Sequence, residues 1–379
     1  MVNKRNQSAK IILLCLALVP FLGFAGINIA GDSVGQLLMI LGTGIFALFV
    51  FSMKSMPEDK FAIFFLLYST ETFVVTAHYI EVSLGLLCSI VAYAFLFSLF
   101  IMDFDSVLRA IAILGYIVTV VNFATIIINS RSEDSIYFIG GKNRLSIALI
   151  PLLMIILLNE VKTYGKIRLR AKLCWVLGII SIFIASSGTG IIVAAFAILF
   201  AILFWKAKPN KYIIVGIILV LYALFIFSSS TVLGSQIWIN ITSALGKRSD
   251  LTNRTLVWGN LLKMLNSHWV FGLGREAANT FRNNWGLIAT ATEAHNAVLE
   301  LFLDGGIVGF ILYAIAFVTA VKKTNTSTTE GKIIFIAIAL IMINGLTESV
   351  TKIFTTTLVL AIANYYGCHG SETTELVES

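Results

Sequence analysis

The chain has 379 residues, of which 58% are hydrophobic and only 12% charged, and its mean hydropathy is +0.93. These values exclude an ordinary soluble domain, and repeated apolar runs near the ~20 residues that a membrane helix needs mark a multi-pass membrane protein. The net charge of +7 comes largely from short basic loops between those runs, so it is poor evidence for nucleic acid as a partner, whereas the lipid bilayer is one by composition.

In chain order the apolar runs fall at 11–30, 34–53, 61–80, 83–102, 107–129, 144–159, 173–187, 190–205, 212–232, 294–321, 333–350 and 353–368. They predict an all-α fold with about twelve transmembrane helices in a single membrane domain spanning 1–379. The first run has the basic start and small-residue end of a cleavable signal. Its apolar stretch exceeds the usual ~7–15-residue signal core, however, so it reads as a span. The seventh and eighth runs read as a hairpin, because Gly188 and Gly190 interrupt a stretch too long for one span. Lys4, Arg5 and Lys10, then Lys54 and Lys60, then Lys162, Lys166, Arg168, Arg170 and Lys172, occupy alternate loops. Lys206, Lys208 and Lys211, and Lys322, Lys323 and Lys332, continue the pattern. Short basic loops stay in the cytoplasm, which predicts that both termini are cytoplasmic and that Asp32, Glu81 and Glu348 lie outside.

Two polar segments on the outer side depart from tight connections. The first, 130–143, contains Arg131 and Gly140-Gly141-Lys142-Asn143 and leads into Arg144 at the head of the sixth span. The second, an extracytoplasmic loop at 233–293, is too long for a turn and too rich in tryptophan for disorder, so it is expected to fold on the membrane surface. Within it, 253–265 reads as an amphipathic helix in which Leu261 and Leu265 repeat beneath Trp258, with Arg254 at its start. An anion near those first amides gains from the positive end of the helix dipole. Gly272-Leu273-Gly274 then breaks the chain, and Arg275 and Arg282, seven residues apart, share one face of a second short helix. Guanidinium groups fork onto phosphate oxygens in a way that lysine does not. Arg248, Arg254, Arg275 and Arg282 outnumber nearby carboxylates on the side where positive charge is disfavoured, so solvation alone does not explain them.

His295-Asn296 follows this loop and opens a span carrying Glu300, Asp304 and Gly306-Ile307-Val308-Gly309. Positions 295, 299, 302, 306 and 309 share a helical face that narrows to bare backbone at the glycines, which close helix packing explains without chemistry. Carboxylates have no such excuse in lipid and are expected to face the protein interior or water. A near-neutral imidazole beside a basic loop is suited to take a proton from a hydroxyl. Cys15, Cys88, Cys174 and Cys368 lie in or beside spans without metal-ligand spacing, and no nucleotide, dinucleotide or zinc motif is found. No cofactor or metal is therefore expected.

His295-Asn296 with Gly306-x-x-Gly309, the acidic Glu300 and Asp304, and the upstream Arg254-x-x-x-Trp258 and Gly272-x-Gly274 together resemble the O-antigen ligase and polysaccharide polymerase superfamily of bacterial membrane proteins. The likeness is strongest over about 140–320. Gly140-Gly-Lys-Asn143 looks like the polymerases that assemble capsule or exopolysaccharide. One departure is Ser186-Ser187-Gly188-Thr189-Gly190, where the family often has an arginine, so a phosphate role for that turn does not carry over.

The resemblance implies a GT-C-like helical fold in the bacterial cytoplasmic membrane. It also implies metal-independent, inverting glycosyl transfer from an undecaprenyl-diphosphate-linked oligosaccharide, with the growing polysaccharide, a flippase and a chain-length regulator as partners. His295 is then the general base and Arg254 the leading phosphate ligand, followed by Arg275 and Arg282, with Arg144, Arg131 and Arg248 behind. Asn296, Glu293 or Glu300 orients the imidazole or the acceptor. Polymerase is the expected activity. The alternatives are an O-antigen ligase, which differs in acceptor, and a flippase, favoured by intramembrane Glu71 but opposed by the absence of internal repeats.

Overall fold

The computed structural model describes residues 4–22, 32–53, 59–129, 136–204, 207–228, 254–275 and 293–375. In chain order the elements are α1 (Lys4–Leu18, running into a 3-10 turn at Val19–Leu22), α2 (Asp32–Met53), α3 (Lys60–Tyr79) and α4 (Leu84–Asn129). A two-stranded hairpin, β1 (Ile136–Tyr137) and β2 (Gly140–Gly141), leads into α5 (Lys142–Tyr164), α6 (Leu169–Ile184), α7 (Gly188–Phe204) and α8 (Lys211–Ser228). Then come α9 (Arg254–His268), α10 (Ala297–Lys323), α11 (Thr329–Gly345), a 3-10 turn at Val350–Lys352, and α12 (Phe354–Glu375). Where their residues are described the expected apolar runs fall mainly on helices, with run ends such as 185–187, 294–296 and 346–349 lying outside them. Among the described residues five helices, α2 to α5 and α10, are both long and apolar enough to cross a membrane.

The centre is α5, which packs against α4, α6, α7, α11 and α12. It is apolar on all sides and buried along nearly its whole length, as expected of a helix surrounded by others. α4 is too long for one straight span, and Asp103 breaks it with non-helical angles of φ −151° and ψ 64°. Its carboxylate caps the second half by accepting from Ser106 N at 3.2 Å and pairs with Lys10 of α1. The two runs expected at 83–102 and 107–129 are thus two halves of one kinked helix. Asp59 does a similar job at α3: it accepts from the Phe61 and Ala62 amides and from Asn364 Nδ2 and the Tyr365 hydroxyl of α12. Between α6 and α7 the chain turns at Ser186, which takes φ +52°, so the expected break between the two runs is present.

The feature that positions the site is a break in α10. At Gly306 the backbone takes φ 56° and ψ −152°, a region open only to glycine. The segment after α9 enters this break. The Leu273 and Gly274 amides donate to the Leu303 and Asp304 carbonyls at 2.7 and 2.9 Å, and the Ile307 and Val308 amides donate to the Trp269 and Val270 carbonyls at 2.8 and 3.1 Å. Two helical bonds, from Ile307 to Leu303 and from Val308 to Asp304, are therefore exchanged for four bonds between segments. This close approach requires bare backbone. A Cβ on Gly306 would lie 2.4 Å from the Val270 carbonyl, one on Gly272 would lie 2.6 Å from Gly306 N, and one on Gly274 would lie 2.5 Å from the Thr76 backbone.

The expected amphipathic helix is α9. Trp258, Leu261 and Leu265 are buried with Val257 against Leu273, Ala294, Leu299 and Leu303, and Trp258 Nε1 donates to the Ala294 carbonyl at 2.8 Å. The helix is thereby tied to the residue preceding His295.

Gly306→Ala is expected to cost about 1–3 kcal/mol in backbone strain alone, with further loss from expulsion of 269–274, seen as a lowered melting temperature of the detergent-purified protein. Gly44→Ala, whose Cβ meets nothing within 4 Å, should leave it unchanged or raise it slightly.

Candidate functional site

The site gathers where the start of α10 meets the end of α11. Asn296 caps α10: its Oδ1 accepts from the Val298 and Leu299 amides at 3.1 Å, and its Nδ2 donates to the Leu346 carbonyl at 3.0 Å. With both ends of its carboxamide engaged, Asn296 fastens the two helices together. His295, immediately before, holds φ +50°, a left-handed conformation that costs a non-glycine residue about 1–3 kcal/mol and needs support from its surroundings. That support comes from Ser349, whose Oγ accepts the His295 amide at 3.1 Å and donates to Glu300 Oε2 at 2.8 Å. Glu300 Oε2 also accepts the Ala294 amide at 2.6 Å.

The imidazole presents Nδ1 to Glu348 Oε2 at 3.4 Å; the His295 side chain is 29% exposed and that of Glu348 only 3%. The carboxylate thus lies against one nitrogen of a ring that is itself partly exposed. Glu348 Oε1 accepts from the Thr189 hydroxyl at 3.3 Å, and Thr189 Oγ1 lies 2.8 Å from Thr347 Oγ1. The turn before α7 is therefore part of the imidazole's surroundings. Ser187 joins it to the start of α5 by donating to Asn143 Oδ1 at 3.1 Å.

Beneath this layer Lys352 pairs with Glu300 and, at 3.1 Å, with Asp304, both carboxylates being wholly buried. Burial opposes the ammonium charge, but Asp304 and Glu300 outweigh it and raise the Lys352 pKa above its ordinary value. Arg275 joins from the other side: its Nη2 donates to the Lys352 carbonyl at 3.4 Å, and its own carbonyl accepts from the Thr76 hydroxyl at 3.1 Å. Burial works against this guanidinium too, and Tyr93, Tyr68 and Asp304 more than restore its charge. Glu293 belongs to the same group, its carboxyl raised above the usual range by burial and then by Glu300. Glu71 of α3 lies against the bare backbone of α10, where a Cβ on Gly305 or Gly309 would come 2.6 or 2.9 Å from its Oε2. Its oxygens have no hydrogen-bond partner among the described residues.

Of the residues expected from sequence, His295, Asn296, Glu293, Glu300 and Arg275 come together. The carboxylate against the imidazole is Glu348 and not Glu293 or Glu300, whereas Glu300 acts on the His295 backbone through Ser349. Arg144 lies along the hairpin, its Cδ 3.0 Å from where a Gly140 Cβ would stand. Arg254 is the first residue of α9, of which only the backbone is described. Arg131, Arg248 and Arg282 lie outside the described residues, as do most of the loop at 233–293 and the second short helix expected there. Sequence reasoning missed Thr189, Thr347, Ser349 and Lys352 and placed Glu348 only by topology. The available signal was the dense polarity of Thr347-Glu348-Ser349 and Thr351-Lys352 between two apolar runs. Among the described residues no group of three or more His, Cys, Asp or Glu is arranged to hold a metal ion.

Residues 173–314, from α6 into α10, match the family described as O-antigen ligase. The match includes Thr189, Arg254, Arg275, His295 and Gly306 and supports the O-antigen ligase and polymerase superfamily. It stops short of Thr347–Lys352 and covers well under half of the chain. No curated protein matches the chain.

Lys352→Met, which strands two buried carboxylates, is expected to destabilise the protein by about 3–5 kcal/mol in thermal unfolding. Adding Glu300→Gln and Asp304→Asn should restore much of that loss.

Proposed function

We propose that this protein is a glycosyltransferase of the bacterial cytoplasmic membrane. In this reading it joins undecaprenyl-diphosphate-linked oligosaccharide repeat units, at the outer membrane face, into capsular, exopolysaccharide or O-antigen chains. The observation that carries the reading is a reachable imidazole, backed on Nδ1 by a buried carboxylate, within a segment that matches the O-antigen ligase family.

The chemistry follows from that arrangement. Glu348 favours the tautomer with the proton on Nδ1, which leaves Nε2 as the base. An acceptor hydroxyl attacks the anomeric carbon while its proton passes to Nε2. The bond from that carbon to the diphosphate oxygen breaks, its electron pair leaves with the lipid diphosphate, and a single displacement inverts the anomeric centre. Charge growing on the departing diphosphate is stabilised by guanidinium groups, with Arg275 and Arg254 ranked first and Arg282, Arg248, Arg144 and Arg131 behind them. Lys352 is engaged by Glu300 and Asp304 and is linked through Glu300 and Ser349 to the His295 backbone amide. The sugar-diphosphate bond supplies the driving force, so neither nucleotide nor metal is required.

A second reading, ligation of a finished glycan onto a lipid core or other surface acceptor, is favoured by the description of the matching family. Deleting the gene and sizing the surface glycan separates the two. Single repeat units left on an acceptor support polymerisation, and long polymer stranded on the lipid carrier supports ligation.

With purified protein and a synthetic lipid-linked repeat unit, chain growth is expected to persist in EDTA. His295→Ala should slow it by about 10²–10⁴-fold, and Glu348→Gln should lower kcat with little change in KM. Full activity in the His295 variant would overturn the mechanism.

A further inference from the structure

α10 starts beside His295 and runs 27 residues to Lys323, so its far end lies up to about 40 Å from the site at 1.5 Å per residue. There a cavity of about 630 Å³ opens between the start of α8 and the end of α10. Lys208, Lys211, Lys322 and Lys323 line it, and among the described residues no carboxylate does.

These lysines have different tasks. Lys211 Nζ donates to the carbonyls of Val321, Lys322 and Thr324 at 3.0, 2.7 and 2.7 Å. It thereby satisfies acceptors that a helix end leaves open and fixes one wall of the cavity. Lys208 and Lys322 are exposed at its rim. Lys208 and Lys322 place two ammonium groups at one rim, and an anion held between them is attracted by both.

A separate observation indicates which anion. From the cavity α8 runs on with Ile213, Ile217, Val220 and Leu224 exposed by 60, 56, 59 and 58%. Their spacing places them on one helical face. An apolar stripe this open is suited to acyl chains.

We propose that this cavity holds the head group of an anionic phospholipid, with the phosphate between Lys208 and Lys322 and an acyl chain along the Ile213–Leu224 face of α8. A free phosphate would meet the same lysines, but it would make no use of the stripe. Basic pockets between membrane helices recognise lipid phosphates in this manner. The inference is independent of the glycosyl-transfer reading.

The test is native mass spectrometry of the detergent-purified full chain titrated with phosphatidylglycerol, phosphatidylcholine or inorganic phosphate. Phosphatidylglycerol should bind in preference to phosphatidylcholine, and inorganic phosphate at millimolar concentration should not displace it. Lys208→Gln with Lys322→Gln should weaken that binding by about 30-fold, from about 1 kcal/mol per basic residue near an anionic lipid. Lys166→Gln with Lys172→Gln removes equal charge near the end of α5 and should leave binding unchanged. Equal binding of the two lipids, an unaffected cavity variant, or equal loss in the control pair would overturn the proposal. Displacement by inorganic phosphate would overturn the lipid as occupant.

Discussion

The exchange of backbone hydrogen bonds at Gly306 is the constraint on which the rest of the site depends. A helix in lipid cannot leave amides and carbonyls unpaired, because each costs several kcal/mol where no water reaches. α10 nevertheless breaks, and the segment 269–274 supplies partners for all four freed groups. The break thus fixes α9 to the membrane domain, and α9 in turn holds Ala294 through Trp258. The two residues on either side of the His295 peptide plane are then set: Ala294 by Trp258 and Glu300, and Asn296 by Leu346.

Buried charge is handled in the same closed manner. Glu300, Asp304 and Lys352 come from two segments of the chain and meet with both carboxylates wholly buried, where an unpaired carboxylate would be costly. The set has a positional consequence. Lys352 holds Glu300, Glu300 holds Ser349 and the Ala294 amide, and Ser349 holds the His295 amide. A strained histidine backbone persists because several neighbours over-determine it, which is how sites keep a side chain aimed.

Much of this was legible in sequence, though unevenly. Hydropathy located the apolar helices, and the spacing of Trp258, Leu261 and Leu265 located α9, because both signals are local and periodic. The boundary between the runs at 83–102 and 107–129 falls where the helix breaks at Asp103, whose carboxylate caps the second half of a kinked helix. His295, Asn296, Gly306 and Gly309 stood out as a pattern, yet their tasks did not. Asn296 reads equally well as a substrate ligand until its carboxamide is seen to be engaged at both ends, and nothing local announces that Gly306 admits a second backbone. Glu348 and Lys352 were legible only as polar residues between two apolar runs, because periodicity within one helix carries no information about which other helix end it meets.

The division of labour around the imidazole follows from depth. Glu348 touches the ring at Nδ1 and is itself nearly buried, whereas the imidazole is partly exposed. Glu300 lies deeper, faces a lysine and reaches only backbone and hydroxyl groups of the histidine's surroundings. Two carboxylates within one cluster are thereby distinguished by what faces each: Glu300 is paired with the Lys352 ammonium, and Glu348 faces the Thr189 hydroxyl and the imidazole. In the proposed reaction a proton taken up by the ring would turn that last contact into an ion pair.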